Sequence, residues 1–120
     1  MRHGWLHPRS LLEPLVWAKR TDRVWERLLG LLGRPAPARG TGLLISHSRT
    51  AHSFGLRYAL DVVFLSADWR ILDIARGLRP WRRVAFPTAV HVLELSAGEA
   101  DRLRLAPGQN LQWVEDRARD

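Results

Sequence analysis

Five short apolar runs after residue 42 restrict the fold of this chain more than any other feature. Each run is rich in Val, Ile and Leu, is too short for a core helix, and ends at polar or turn-forming residues, which is typical of β-strands. The runs cover residues 43–45, 61–65, 71–75, 90–95 and 111–114, and residues 15–18 are a candidate first strand. The pattern predicts a β-rich domain in which runs 61–65 and 71–75 pair as a hairpin.

Two segments show helical features instead. From residue 22 to residue 33 the apolar side chains recur at helical spacing on one face, with charged side chains opposite. Ser96 and Glu99 match a capping box, which predicts a short helix over residues 97–103. The expected fold class is therefore α+β: a small β-rich single domain with a bent antiparallel or mixed sheet, or an open barrel, and two short helices at about 22–33 and 97–103.

The length of 120 residues fits a single domain. We assign residues 14–116 to this domain and residues 117–120 to a C-terminal tail. Residues 1–13 are expected to be a loose N-terminal arm, because they show no periodicity and contain Pro8. The chain has no cysteine, which excludes disulfides, thiolate nucleophiles and cysteine-ligated metal sites. Its net charge of +7 favours acidic partners or surfaces.

No segment has the length of a transmembrane helix. Such a helix needs about 20 apolar residues, and the longest unbroken apolar runs, such as residues 62–65, are far shorter. The basic N-terminus is followed by an apolar stretch that Glu13 and Pro14 interrupt, which makes a poor signal peptide. We therefore expect a soluble, cytoplasmic protein.

Several modest motifs occur in a fixed order along the chain: RLLGLLGR at 27–34, GLL at 42–44, HSFGLRYALDVVFL at 52–65, VLELSAG at 92–98, and Pro107-Gly108. Over residues 15–114 this order resembles the bacterial and archaeal family known as domain of unknown function 192. The resemblance implies a compact β-rich α+β domain with a strongly bent sheet or open barrel, and it implies no established activity. Many relatives carry export signals, and some are encoded beside pilus or secretion components.

Three sites depart from the family pattern. The family commonly has an aromatic residue and methionine where this chain has Gly55 and Leu56, so a pocket lined by that bulky pair would be altered here. Proline is common at the position of Ala59, and Asp-Gly is common where this chain has Asp68 and Trp69. The chain does match the most characteristic polar and glycine positions, which are Asp61, Glu94, Gly98 and Gly108.

Asp61 and Glu94 lie in predicted strands, and alternation along each strand gives both of them apolar neighbours. A buried carboxylate needs hydrogen bonds or a cationic partner, for which backbone amides, Arg49 or Arg57 are candidates. The simpler interpretation is that each carboxylate has a structural role. The alternative is that the two form a pair for acid–base catalysis or metal binding.

The candidates for a metal site are His47, His52 and His91. His47 and His52 are five residues apart, which is not the i, i+4 spacing of a helical zinc motif, and alternation puts His91 on the face opposite Glu94. No serine stands in the context of a nucleophile elbow. We therefore expect no metal, no cofactor and no catalytic residue. If the protein is an enzyme after all, Asp61 and Glu94 are the candidates for catalysis.

Residues 76–83 are the most distinctive candidate surface, with four arginines around Trp81. Arginine contacts phosphate while an aromatic ring stacks on a base, which indicates nucleic acid or a phosphorylated ligand. Arginine and tryptophan are also common anchors of protein interfaces. A third interpretation is a solvated connection whose tryptophan covers the sheet. The candidate binding residues are Arg57, Arg76, Arg79, Trp81, Arg82 and Arg83.

The sequence favours a non-catalytic binding or accessory module that displays loops 46–58 and 76–88 to a protein partner. The gene neighbours of the relatives connect this hypothesis with envelope or pilus assembly, by association only. The first alternative is the binding of nucleic acid or a phosphorylated ligand through residues 76–83, which salt would weaken steeply. The second alternative is a small hydrolase or lyase that uses Asp61 and Glu94. The oligomeric state is left open.

Overall fold

The computed structural model describes residues 2–8, 14–21 and 36–116. Within these ranges the elements are β1 (Arg2–Pro8), β2 (Val16–Thr21), β3 (Thr41–Ser46), β4 (Thr50–His52), β5 (Leu60–Leu65), β6 (Ile71–Leu78), β7 (Arg83–Ala85), β8 (His91–Ser96), α1 (Glu99–Arg102) and β9 (Leu111–Glu115). The helix predicted at 22–33 and the tail at 117–120 lie outside the described residues. No helix in the described part of the chain is long and apolar enough to cross a membrane.

Seven strands form one mixed, curled sheet in the order β6-β5-β8-β3-β2-β1-β9. All neighbouring strands are antiparallel except β2 and β3, which are parallel. The two ends of this order return towards each other, because a bridge joins Arg70 to Asn110 and the Leu111 amide donates to the Trp69 carbonyl over 3.0 Å. The sheet is a half-barrel, so the predicted bent mixed sheet and the hairpin of β5 and β6 are confirmed.

Strand alternation divides the buried side chains into two clusters, one on each face of the half-barrel. The inner cluster includes Val63 and Leu95 from the central strands, Leu6 from β1, and Ala100 from α1. The outer cluster is built around Phe64 and is covered by a second, two-stranded sheet of β4 and β7. The small sheet is thus held against the large one by apolar packing.

The N-terminal segment contains a strand and is not the loose arm that the sequence predicted. β1 lies between β2 and β9 and is antiparallel to both. Gly4 and Leu6 are buried, whereas Trp5 between them is exposed on the other face. The apolar alternation that marks a strand is therefore obscured, which is why β1 is hard to recognise from the sequence. Residues 9–13 lie outside the described residues.

The capping box predicted at Ser96 and Glu99 does not form. Gly98 occupies the N-cap position of α1 and has no side chain with which to cap the helix. The Ser96 hydroxyl donates instead to the carbonyl of Pro37, and the Glu99 carboxylate accepts from the Gly40 amide over 2.6 Å. Both side chains thus make tertiary contacts to the segment before β3. The helix is one short turn, and the predicted range of 97–103 is too long.

Gly4 gives a direct test of the packing of β1. A Cβ atom at this position would lie 2.5 Å from the Val114 carbonyl oxygen and 2.7 Å from the Trp113 ring. We expect Gly4→Ala to lower the free energy of unfolding by about 1–2 kcal/mol, because β1 and β9 must separate. Chemical denaturation measures this. Arg2→Ala, at the exposed end of the same strand, should cost less than about 1 kcal/mol, and an equally small effect of Gly4→Ala would contradict the close packing.

Candidate functional site

Asp61 is buried on β5, and backbone amides hold its carboxylate. Oδ1 accepts a hydrogen bond from the Gly77 amide over 2.9 Å, and Oδ2 accepts from the amides of Gly98 and Ala100 over 3.0 and 2.9 Å. Gly98 has a φ of 94°, a conformation that suits glycine and aims these amides at the carboxylate. The Asp61 carboxylate therefore ties β6 and the start of α1 to β5, which is a structural role.

Glu94 is buried on β8 and faces the other side of the sheet from Asp61. In the register of β5 and β8, Asp61 lies opposite Leu95, whereas Glu94 lies opposite Val62. Residues that lie opposite each other share a face and successive residues alternate, so the two carboxylates project to different faces. Acid–base catalysis by a pair needs both groups within hydrogen-bond reach of one substrate. The structure does not bring these two side chains into one cleft.

The three candidate metal-binding histidines are not brought together. His52 lies on β4 in the small sheet. His47 is exposed after β3, and its ring centroid lies 6.2 Å from that of the buried His91. Within residues 2–8, 14–21 and 36–116, no group of three His, Cys, Asp or Glu residues could hold a metal ion.

His91 lies at the centre of a polar and aromatic cluster that the sequence did not indicate. Its ring stacks on that of Trp69 with centroids 3.9 Å apart, and its Nδ1 lies 3.1 Å from Ser46 Oγ. Arg20 Nε donates to the same Oγ over 2.7 Å, and the guanidinium carbon lies 5.1 Å from the Trp69 ring centroid. Burial, followed by the positive charges of Arg20 and His47, lowers the pKa of His91 to about 4. His91 is therefore neutral at pH 7.

Trp69 holds this cluster in place from a backbone conformation that tryptophan rarely adopts. Its φ of 69° lies in the left-handed region, which favours glycine. The stacking on His91 and the contact with Arg20 offset the backbone strain. Trp69 thus supplies a ring that covers His91.

A second candidate region consists of β4, β7 and their flanking loops, residues 47–59 and 79–90, which we name the platform. β4 and β7 pair antiparallel, with Ala51 opposite Val84 and His52 opposite Arg83. Ala51 and Val84 belong to the outer apolar cluster, so His52 and Arg83 project from the other face of the small sheet. The platform therefore has one face packed on the half-barrel and one face turned away from it.

Ser53 is the polar anchor of the platform and is fully buried. Its amide donates to the Arg82 carbonyl over 2.9 Å, and its hydroxyl donates to the Arg79 carbonyl over 2.5 Å. The same Oγ accepts from the Arg82 amide over 3.0 Å, and the Ser53 carbonyl accepts from the Trp81 amide over 3.1 Å. One side chain and its backbone thus fix the loop that carries Trp81.

Three rings of the platform form a continuous stack, which we name the aromatic ladder. The ring centroids of His52 and Phe54 are 4.9 Å apart at an interplanar angle of 25°, and those of Phe54 and Trp81 are 6.1 Å apart at 24°. Phe54 is 43% exposed and Trp81 is 66% exposed. Trp81 therefore does not cover the sheet, and the outer end of the ladder is open to solvent.

The charge of the platform has a single sign. Its two segments contain no Asp or Glu, and all five of their arginines are exposed: Arg49, Arg57, Arg79, Arg82 and Arg83. The remaining predicted arginine, Arg76, lies apart from this set on β6. Its Nε donates to Asp101 over 2.9 Å, and its Nη2 donates to the Leu105 carbonyl over 3.3 Å.

The platform thus contains five of the six predicted binding residues, which are Arg57, Arg79, Trp81, Arg82 and Arg83. Arg49, Ser53 and Phe54 were missed. The only sequence signal for them was the lack of acidic residues between 47 and 59. Their contribution depends on the pairing of two three-residue strands, and runs of that length carry no readable periodicity.

The half-barrel and its attached platform define a small β-rich domain with a basic aromatic surface. The family model DUF192, described as an uncharacterised family, matches residues 14–113, and the chain belongs to this family. A UPF0127 protein of Thermococcus sibiricus is 28% identical over 112 residues, which cover 87% of this chain and 72% of the relative. A UPF0127 protein of Pyrococcus abyssi is 32% identical over 66 residues, and the match spans only 56% of that relative's length.

Two solved structures share the fold. A Sinorhizobium meliloti protein described as a candidate transcription regulator has a TM-score of 0.77 at 22% identity, with 93% of this chain and 92% of that chain covered. A protein of unknown function from Novosphingobium aromaticivorans has a TM-score of 0.76 at 21% identity, with 92% and 84% covered. At these identities the likeness concerns the fold alone.

Proposed function

We propose that this protein is a non-catalytic binding module whose platform binds nucleic acid. The observation that carries the proposal is the composition of the platform surface, which combines exposed arginines, two exposed and stacked aromatic side chains, and no acidic residue. Proteins that bind nucleic acid without base-specific hydrogen bonds combine cationic contacts to phosphates with aromatic contacts to bases. The platform carries both kinds of group in its two exposed segments.

The arginines suit phosphate in particular. A guanidinium stays charged at physiological pH and presents several N–H donors in a planar fork that matches two phosphate oxygens. Five such groups without an intervening carboxylate create a positive field over the platform.

The polar groups that could have served catalysis have structural contacts, which supports a binding role. The Asp61 carboxylate accepts three backbone hydrogen bonds, and Glu94 faces the opposite side of the sheet. His91 is buried, neutral at pH 7, and stacked on Trp69. Asp61 and His91 lie on the inner face of the half-barrel, and Glu94 is fully buried on the outer face that the small sheet covers, so none of the three is exposed on the platform surface.

A protein partner is the second candidate for the platform, because tryptophan and arginine are common anchors of interfaces. The unbroken positive charge and the open aromatic ladder favour nucleic acid over a protein surface of mixed charge. The protein partner, the link to envelope or pilus assembly, and the cytoplasmic location stay predictions from the sequence.

The test is the salt dependence of binding to a short fluorescein-labelled oligonucleotide, followed by fluorescence anisotropy. We expect Arg82→Gln/Arg83→Gln to weaken binding roughly tenfold at about 50 mM salt. The slope of log K against log salt should become shallower by about 0.7–0.9 for each phosphate contact that is lost. The matched control is Arg70→Gln/Arg104→Gln, which removes two exposed charges outside the platform and should change both quantities little.

Three results would contradict the proposal. The first is no binding of any oligonucleotide at low salt. The second is an equal loss in the two double variants, since attraction would then follow net charge alone and not the platform. The third is binding that salt does not weaken, because counterion release from phosphates is the basis of the predicted contact.

A further inference from the structure

We propose that the nucleic acid held by the platform is single-stranded, and that one of its bases stacks on the open face of Trp81 and extends the aromatic ladder. This inference rests on the proposed function and names the ligand class for the same surface. It depends on three observations: the parallel arrangement of the ladder, the strained backbone of Trp81, and the hydrogen bonds that fix both.

The ladder presents a series of offset, roughly parallel rings that a planar base can extend. Its three rings lie within 25° of parallel from one ring to the next, and its outermost member is the largest and most exposed ring. His52 and Phe54 support Trp81 from behind, so a planar group arriving from solvent meets the indole and not a gap. Base–aromatic stacking of this kind is sequence-tolerant, because every base has a π-face.

Trp81 has a left-handed backbone, with a φ of 64°, and burial does not offset that strain. Trp69 has a similar φ of 69°, but its backbone strain is compensated by stacking on His91. The indole of Trp81 is 66% exposed instead. Strained residues with little compensation from packing are found at ligand-binding positions, where the surrounding structure holds them ready.

Ser53 supplies that surrounding structure. Its hydrogen bonds to Arg79, Trp81 and Arg82 hold the loop backbone on either side of the indole. A loop backbone fixed in this way loses little freedom when a ligand binds, which favours affinity. The arginines next to Trp81 in the chain, at positions 79, 82 and 83, are exposed and available to phosphates that flank a stacked base.

The ladder selects single strands because of where base faces are accessible. In a double helix each base face is covered by its neighbours, so stacking on Trp81 would require unpairing. In a single strand the faces are free, and an aromatic platform with flanking cations binds backbone and base together. A duplex would meet the arginines alone.

The test compares three ligands of equal length by anisotropy: an oligothymidylate, a duplex, and an abasic oligomer that keeps the phosphates. We expect the oligothymidylate to bind most tightly. Trp81→Ala should weaken its binding by about 5- to 150-fold, as loss of one stacked base implies, and should leave the abasic oligomer unaffected. Trp81→Phe should retain most of the affinity, because a ring remains.

Two further variants separate stacking from folding. Trp5→Ala removes another exposed tryptophan, on β1 of the large sheet, and should not change binding. Trp81→Gly suits the left-handed backbone, so it should be at least as stable as Trp81→Ala in thermal unfolding and should bind oligothymidylate equally weakly.

The outcomes distinguish this inference from the proposed function. If the three ligands bind equally and Trp81→Ala changes nothing, the platform binds phosphates without stacking and the inference is wrong, while the proposed function stands. If none of the ligands binds, both are wrong. Tighter binding to the duplex would also overturn the single-strand inference.

Discussion

Asp61→Asn should lower the free energy of unfolding by about 3 kcal/mol, since hydrogen bonds to a buried charged group contribute more than neutral ones and an unsatisfied buried donor is costly. The carboxylate accepts from the amides of Gly77, Gly98 and Ala100 through both oxygens. Asparagine has nearly the same shape, but it replaces one acceptor oxygen with an NH₂ donor, which would face an amide N–H. At least one of the three amides then loses its acceptor and faces an NH₂ group inside the protein. Chemical denaturation at pH 7 measures the change.

The matched control for this substitution is Asp73→Asn, at an exposed position on β6. It removes the same charge without removing a buried acceptor, so its effect should stay within about 0.5 kcal/mol. If Asp61→Asn were as mild as the control, the carboxylate would not be the tie between β5, β6 and α1. A role of Asp61 in catalysis or ligand binding would then become the better explanation.

The second large effect is a loss of stability in mild acid that depends on His91. The pKa of this side chain is lowered from 6.5 to about 4 by burial and by the charges of Arg20 and His47. Between these two values the unfolded chain binds a proton that the folded chain does not, so stability falls as the pH decreases from 6.5 towards 4. We expect His91 to account for a loss of about 2 kcal/mol between pH 7.5 and pH 5.

The measurement is the free energy of unfolding as a function of pH, compared between the natural protein and His91→Asn. Asparagine does not titrate, so the difference between the two curves isolates His91 from the other histidines and the carboxylates. The variant should be less stable at pH 7.5, where stacking on Trp69 is lost, and should show a flatter curve below pH 6.5. Parallel curves would show that His91 titrates normally. His47→Asn, at an exposed position, should retain most of the natural slope.

The central strands could be predicted because their apolar runs are buried on both faces. β5 and β8 lie in the middle of the sheet between the two apolar clusters, so nearly every residue in them is apolar and each strand stands out. The same burial identifies Asp61 and Glu94 as unusual. It does not give the register between the strands, and the register decides that the two carboxylates face opposite sides.

The sequence-based prediction failed at three places, each for a different reason. In β1 one of the two buried positions is glycine and the exposed position between them is tryptophan, so hydrophobicity does not mark the core face. In β4 and β7 only one residue of three faces the core. At Ser96 and Glu99 a local motif was present, but both side chains are used by contacts to the distant residues Pro37 and Gly40.

The candidate site also has features that a single segment of the sequence reveals and features that only the fold brings together. Composition alone identified the arginines and Trp81, because charge and aromatic content are local properties. The aromatic ladder and the His91 cluster each combine side chains from segments far apart in the chain. Such groupings follow from strand pairing and have no signature within any one segment.

The position of β1 has a practical consequence for work on this family. The family match begins at residue 14, so a protein trimmed to the matched region would lack β1. Its removal would uncover the facing edges of β2 and β9, each with unpaired amide and carbonyl groups that had been hydrogen-bonded to β1. Open strand edges recruit strands from other molecules. A trimmed protein would therefore self-associate through β2 or β9, and the oligomers measured for it would reflect the cut and not the natural protein.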